Sequence, residues 1–230
     1  MSRLRTLLHH ERRQAAVLAS LIFATGLCAA MLIVRAWYDG SVARFGLQWN
    51  LFLAWLPMIA ALAAYNVGKR RGRRGWPLIL LFLAFWLLFF PNAPYILTDF
   101  IHLSPVGDVP LWYDLILMIA YALTGVFLGL VSLYLMQSLM RRAFGSVASW
   151  VFTIGVLGVT GFGVYLGRFP RWNSWDILAD PGGLLLDIWA RVSNPLAHSR
   201  TFVFSMLFSL CLLAMYFVMV SVIHLRDDSY

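Results

Sequence analysis

An acid and a histidine three residues apart, Asp99 and His102, close a segment that is unusual for a membrane span. It reads Phe90-Pro91-Asn92-Ala93-Pro94-Tyr95-Ile96-Leu97-Thr98-Asp99-Phe100-Ile101-His102 and follows the apolar run Leu78 to Phe90. In a helical segment, residues three apart share a face. A carboxylate there can orient the imidazole, favour its charged form, or join it on a divalent cation. One acid and one histidine, with no second histidine nearby in sequence, are too few to specify a metal, so none is assigned and no cofactor is identified. The bland alternative is an interfacial hydrogen-bonded pair.

Two other stretches carry groups of the same kind. Leu111-Trp112-Tyr113-Asp114 opens the next apolar run, with Trp and Tyr as an interfacial belt and Asp114 placed favourably for the helix dipole. Further on, Gly167-Arg168-Phe169-Pro170-Arg171-Trp172-Asn173-Ser174-Trp175-Asp176 follows a glycine-rich run. Guanidinium favours planar pairing with carboxylate or phosphate. Arg168 either braces the loops by bonding Asp99 or Asp176, or faces an anionic ligand such as a lipid phosphate.

The elements that must hold these groups are set by composition. Of 230 residues, 61% are hydrophobic and only 12% charged. Soluble domains are about half apolar and about a quarter charged, so lipid is the solvent for most of this chain. Its net charge of +8 does not indicate nucleic acid, because the basic residues sit between apolar runs as the positive-inside rule requires. Cys28 and Cys211 both lie inside apolar runs and read as small hydrophobes, with no disulfide framework. The run from Ala15 to Val34 is long enough to span rather than to act as a cleaved signal.

The predicted architecture is an all-α integral membrane bundle of about six spans, near 14–36, 48–67, 76–97, 112–136, 147–167 and 201–225. The third is broken at Pro91 and Pro94. Pro91 lies about 22 Å along that span at ~1.5 Å per residue, so the break falls in the outer leaflet. Both prolines lack an N–H donor, so the carbonyls of Leu87 and Phe90 would lose their helical partners. Asn92 and Thr98 can repair such a kink. Of the basic residues, twelve fall on the N-terminal side of the membrane and six on the other (Arg35, Arg44, Arg168, Arg171, Arg191 and Arg200). That bias places both termini in the cytoplasm. Seven acids fall on the outer face against three inside, a first pointer to function there.

In the last external loop, Pro181-Gly182-Gly183 signals a turn. Beyond it Leu184, Leu185, Ile188, Trp189 and Val192 share a helical face, with Asp187 and Arg191 on the other. This spacing suits a short interfacial helix, or equally a loop helix packed on the bundle. Small residues at Ala122, Gly125, Gly129 and Ser132, and glycines at 155, 158, 161, 163 and 167, predict close packing of spans four and five.

The patterns Pro-Asn-Ala-Pro-Tyr-x-x-Thr-Asp-x-x-His-Leu (91–103), Trp-Tyr-Asp (112–114) and Gly-Arg-Phe-x-Arg-x-Asn-Ser-Trp-Asp (167–176) together resemble the bacterial membrane family called domain of unknown function 1361. The resemblance covers about residues 50–225. It implies a multi-pass bacterial inner-membrane protein and no particular activity. The motif residues carried by this chain are Asn92, Tyr95, Asp99, His102, Tyr113, Asp114, Arg168, Arg171, Asn173 and Asp176.

Three functions compete. An enzyme at the outer leaflet would use Asp99 or Asp114 as general base and His102 as proton carrier. Arg168 and Arg171 would clamp an anion, with Asn92, Tyr95, Asn173 and Asp176 binding the rest of a lipid-linked substrate. No nucleophile-elbow or His-Glu-x-x-His pattern occurs. A transporter fits the broken helix, but the inner halves of the spans offer few ionisable residues. A non-catalytic scaffold or sensor needs only a structural polar cap. Membrane lipids are the one expected partner.

Overall fold

The computed structural model describes residues 2–42 and 44–227, and among these every regular element is helical. Five helices are long and apolar enough to cross a membrane: Gln14–Asp39 within α1 (Ser2–Asp39), α2 (Phe45–Arg71), Trp76–His102, α5 (Leu111–Arg168), and Ser199–Leu225 within α8 (Ser199–Asp227). The side chains of Arg3, Arg5, Glu11, Arg13, Arg73, Arg226 and Asp227, and the whole of Asp228, which enter the charge argument above, lie outside the described residues.

Where hydropathy predicts a fourth and a fifth span joined by a loop, the structure has one 58-residue helix, α5. Straight, it would reach about 87 Å, nearly three times the ~30 Å of hydrocarbon. It is bent at Gly145, whose φ of 87° and ψ of 177° lie outside the helical region. Only glycine enters that region without a steric penalty. The two legs fold back side by side. Trp86 donates to Ser132 of the first leg at 3.1 Å and stacks on Phe152 of the second, with centroids 6.1 Å apart. Tyr216 of α8 likewise bonds Gln137 on one leg and meets the Trp150 ring edge-on from the other. The helix therefore continues past Arg141 and Arg142, and the turn needs one residue.

The third span is interrupted at the expected place, though by a change of hydrogen bonding rather than of direction. α3 (Trp76–Phe89) is followed by α4 (Asn92–Tyr95) and a 3₁₀ segment, Ile96–His102. Phe90, Pro91, Tyr95 and Ile96 all keep right-handed helical dihedrals. The disturbed carbonyls find new partners: Leu88 O accepts from Ser174 Oγ at 3.0 Å, Phe89 O from Asn92 Nδ2 at 3.0 Å, and Phe90 O from Ala93 N at 3.1 Å. Thr98 Oγ1 donates to Tyr95 O at 2.6 Å. Asn92 and Thr98 each bond a carbonyl of this segment, though neither takes Leu87 O or Phe90 O, the two that the prolines free.

The small residues do not join the two legs of α5 to each other, as the sequence led us to expect. A Cβ at Gly125 would lie 2.6 Å from Ala93 O, and one at Gly129 3.2 Å from the Ala93 methyl group. On the second leg, Gly163 faces Pro91 and Gly167 faces the Tyr95 ring, while Gly161 receives α8 at Ser205 and Ser209. Gly155 and Gly158 face open space. Gly125, Gly129, Gly163 and Gly167 thus form a slot that admits the proline-containing segment between both legs, where the absence of a Cβ makes room for Ala93, the Pro91 ring and the Tyr95 ring.

After α5 the chain forms α6 (Asp176–Ala179) and α7 (Pro181–Ser193). The helix predicted after the Pro-Gly-Gly turn is present, N-capped by Asp180, which accepts from Gly183 N at 2.9 Å. Part of its apolar surface does not pack on the bundle: Leu185, Leu186, Trp189 and Val192 are exposed. The inward face instead mixes apolar and charged residues, with Leu184, Asp187, Ile188 and Arg191 all half-buried. Asp187 accepts from Trp172 Nε1 at 2.8 Å and pairs with Arg191, whose guanidinium lies 5.9 Å from the Tyr165 ring centroid.

Candidate functional site

Tight 3₁₀ winding stacks residues three apart nearly in register. It therefore aligns Asp99 with His102, and Arg168, at the end of α5, reaches both. Its Nη2 pairs with Asp99 Oδ1, its Nη1 lies 2.9 Å from His102 Nε2, and its Nε donates to Thr98 Oγ1 at 2.7 Å. The guanidinium also covers the Tyr95 ring at 4.3 Å. The other oxygen of Asp99 accepts from Asn50 Nδ2 of α2 at 3.0 Å. Of the two roles open to Arg168, bracing Asp99 is the one seen. Asp176 instead accepts from Asn173 N at 2.7 Å at the start of α6.

A guanidinium only donates hydrogen bonds. His102 Nε2 must then accept, which places the imidazole proton on Nδ1.

Asp114 belongs to a second ion cluster. Arg35 of α1 grips it from one side, with Nε 2.6 Å from Oδ1 and Nη2 3.2 Å from Oδ2. Arg44 approaches from the other side, with Nη2 3.1 Å from Oδ2. Arg35 and Asp114 are each 1% exposed. Arg44 also donates to His102 O at 3.0 Å and to Ser104 O at 2.9 Å, tying the end of the 3₁₀ segment to the second cluster. Asp39 lies 3.6 Å from Arg35 and accepts from Asp108 N at 3.1 Å.

Beside the Arg168 cluster lies an open groove of about 220 Å³. Trp49, Tyr95, Trp172 and Trp175 supply its aromatic surface, and Asn50, Asn92, Asn173 and Ser174 its polar groups. Apolar residues complete the lining, Ile177 of α6 and Leu184 of α7 among them. None of the lining residues is charged. The predicted site residues are thus divided. Asn92, Tyr95 and Asn173 line the groove. Asp99, His102 and Arg168 form the ion cluster behind Tyr95, and Asp114 sits in the other cluster. Arg171 is exposed, makes no hydrogen bond or ion pair with a described residue, and has a left-handed backbone (φ 69°) where the chain leaves α5.

Arg35, Arg44 and Asn50 were missed as site residues. Arg35 carried a signal: an arginine in the outer end of an apolar run needs a carboxylate partner. Among the described residues, no group of three or more His, Cys, Asp or Glu side chains is placed to hold a metal ion.

Long apolar helices bearing a paired-charge frame at one end define a multi-pass membrane protein. The model of a protein family of unknown function, DUF1361, matches residues 49–215, and the chain belongs to that family. No curated protein and no solved structure matches it.

Proposed function

We propose that the chain makes six crossings of the bacterial inner membrane, counting each leg of α5, with both termini cytoplasmic. Its periplasmic end binds the head group of a lipid-linked ligand. The groove carries this reading. It combines aromatic surface with uncharged hydrogen-bonding groups, and a few convergent polar groups in an otherwise apolar cleft are the usual makings of a ligand site. One of its walls is the 172–184 stretch, which runs into the outward leucines of α7, so a ligand anchored in the leaflet has a short lateral path to it. The ion clusters brace the frame, each carboxylate being held by guanidinium or amide donors.

Two measurements test this. Cysteines introduced at Ser104 and Ser146 are expected to react with a membrane-impermeant thiol reagent from opposite sides, Ser104→Cys from the periplasm. Lipid extracted with the purified protein is expected to contain a species that Asn92→Leu no longer retains. Identical lipid content in wild type and variant would defeat the reading.

A catalytic reading rests on one observation, His102 Nε2 held 2.9 Å from Arg168 Nη1 while the same guanidinium pairs with Asp99. With Asp99 as its neighbour, His102 is a candidate proton carrier, and Asp114 is then a remote support rather than a second base. Conversion of a bound lipid by wild type, lost in His102→Gln while binding persists, would favour it.

A further inference from the structure

We infer that the head group bound in the groove is a hydroxylated ring, such as a hexose, linked through phosphate to the lipid, with Arg171 facing the phosphate. The inference rests on the lipid-ligand reading above and names the chemistry of that ligand.

Three features lie in order along one short stretch. Arg171 comes first. It is an exposed guanidinium without an ion-pair or hydrogen-bond partner among the described residues, held in a backbone conformation that disfavours any residue but glycine. Trp172, Asn173, Ser174 and Trp175 follow and line the groove together with Trp49, Asn50, Asn92 and Tyr95, Asn92 being bonded to Ser174 at 2.9 Å. The apolar residues Ile177 and Leu184 come last, adjoining the exposed leucines of α7.

Each feature restricts the ligand. A sugar ring has an apolar C–H face that lies flat on indole or phenol, and hydroxyls at its rim that both donate and accept. Amide side chains match such hydroxyls: Asn92 spends both its N–H groups on Phe89 O and Ser174 and presents its oxygen, while Asn50 and Asn173, with one N–H each engaged, keep a donor as well. A charged head group in the groove itself would lose water without gaining a counter-ion. A quaternary ammonium, the other common guest of aromatic walls, is disfavoured. The Tyr95 face already carries the Arg168 guanidinium at 4.3 Å, and Arg171 adds a second positive charge nearby. The same positive field favours a phosphate at the rim, where an unpaired arginine can form a forked contact.

The test uses wild-type protein in nanodiscs and three probes sharing a geranylgeranyl chain: the phosphate, the glucoside and the phosphate-linked glucose. Soluble glucose 1-phosphate is the fourth probe. The phosphate-linked glucose is expected to bind tightest. Trp175→Ala, at a ring 41% exposed, is expected to weaken both sugar-bearing lipids about tenfold and to leave the prenyl phosphate unchanged. Arg171→Gln is expected to weaken both phosphate-bearing lipids and spare the glucoside. Unchanged thermal unfolding of both variants excludes loss of fold. Prenyl phosphate binding as tightly as phosphate-linked glucose would overturn the sugar assignment and leave a lipid site. Glucose 1-phosphate binding as tightly as its lipid form would remove the membrane anchor and keep the sugar. If no probe binds, both readings fall.

Discussion

Asp114 sits in the fork of Arg35, both of its oxygens within 3.2 Å of that guanidinium, though 79 residues separate the two. Arg44 meets the same carboxylate from outside. The first helix, the first leg of α5 and the end of the 3₁₀ segment are therefore locked together by one acid.

Removing one member of a buried ion cluster leaves an uncompensated charge, which costs about 3–5 kcal/mol. Asp114→Leu is expected to lose that much against unfolding in detergent. Arg35→Met with Asp114→Leu should recover part of it, since Arg44 then keeps His102 O and Ser104 O as acceptors and Asp39 keeps the Asp108 amide. A loss in the double variant equal to the sum of the losses of Asp114→Leu and Arg35→Met alone would show that the pair is not coupled.

Ser174 spans two elements by donating to Leu88 O while accepting from Asn92 Nδ2. Ser174→Ala strands a carbonyl in the kinked helix and is expected to cost about 1–3 kcal/mol. Hydrogen exchange should rise in 88–95 and 172–176 together. A rise in only one of them would mean the bond does not join the segments.

Gly125→Ala and Gly155→Ala form a matched pair. The first pushes a methyl group against Ala93 backbone oxygen and is expected to destabilise by about 1–3 kcal/mol. The second faces open space and is expected to be neutral or stabilising by up to about 1 kcal/mol through helix propensity. Thermal unfolding of the two variants side by side measures the difference.

Gly145→Ala is expected to cost about 1–3 kcal/mol, because its dihedrals are open only to glycine. Cross-linking between the legs of α5, for instance of cysteines at 132 and 152, should fall in that variant.

Asp187→Ala removes the partner of both Trp172 and Arg191. Protease cleavage within 172–193 is expected to quicken severalfold while the cleavage rate elsewhere stays the same. Uniform acceleration along the chain would point to global loss of stability instead.

What sequence could reveal followed from the range of each interaction. The proline interruption, the side-chain bonding of Asn92 and Thr98 to carbonyls within it, the pairing of Asp99 with Arg168 and the short helix after Pro181 were legible. They depend on neighbouring residues or on a strong chemical preference. Arg35 and Arg44 were not, because their partner lies 70 or more residues away and they had been counted only as charges bearing on orientation. The glycine slot was read as helix against helix because composition records that backbones come close, not which ones. The long α5 was read as two spans with a loop because hydropathy falls around Arg141, whereas the backbone stays helical until one glycine reverses it.

That reversal has a mechanical consequence. From Gly145 to Arg168 the second leg is a stiff rod of about 34 Å at ~1.5 Å per residue. Its far end carries Gly163 and Gly167 against Pro91 and Tyr95, while Gly125 and Gly129 hold the other side of the same segment. The joint and the groove are therefore the pivot and the tips of a pair of tweezers. At that rod length, one degree of opening at Gly145 moves the tip by about 0.6 Å, so the width of the groove is sensitive to a joint a whole helix leg away.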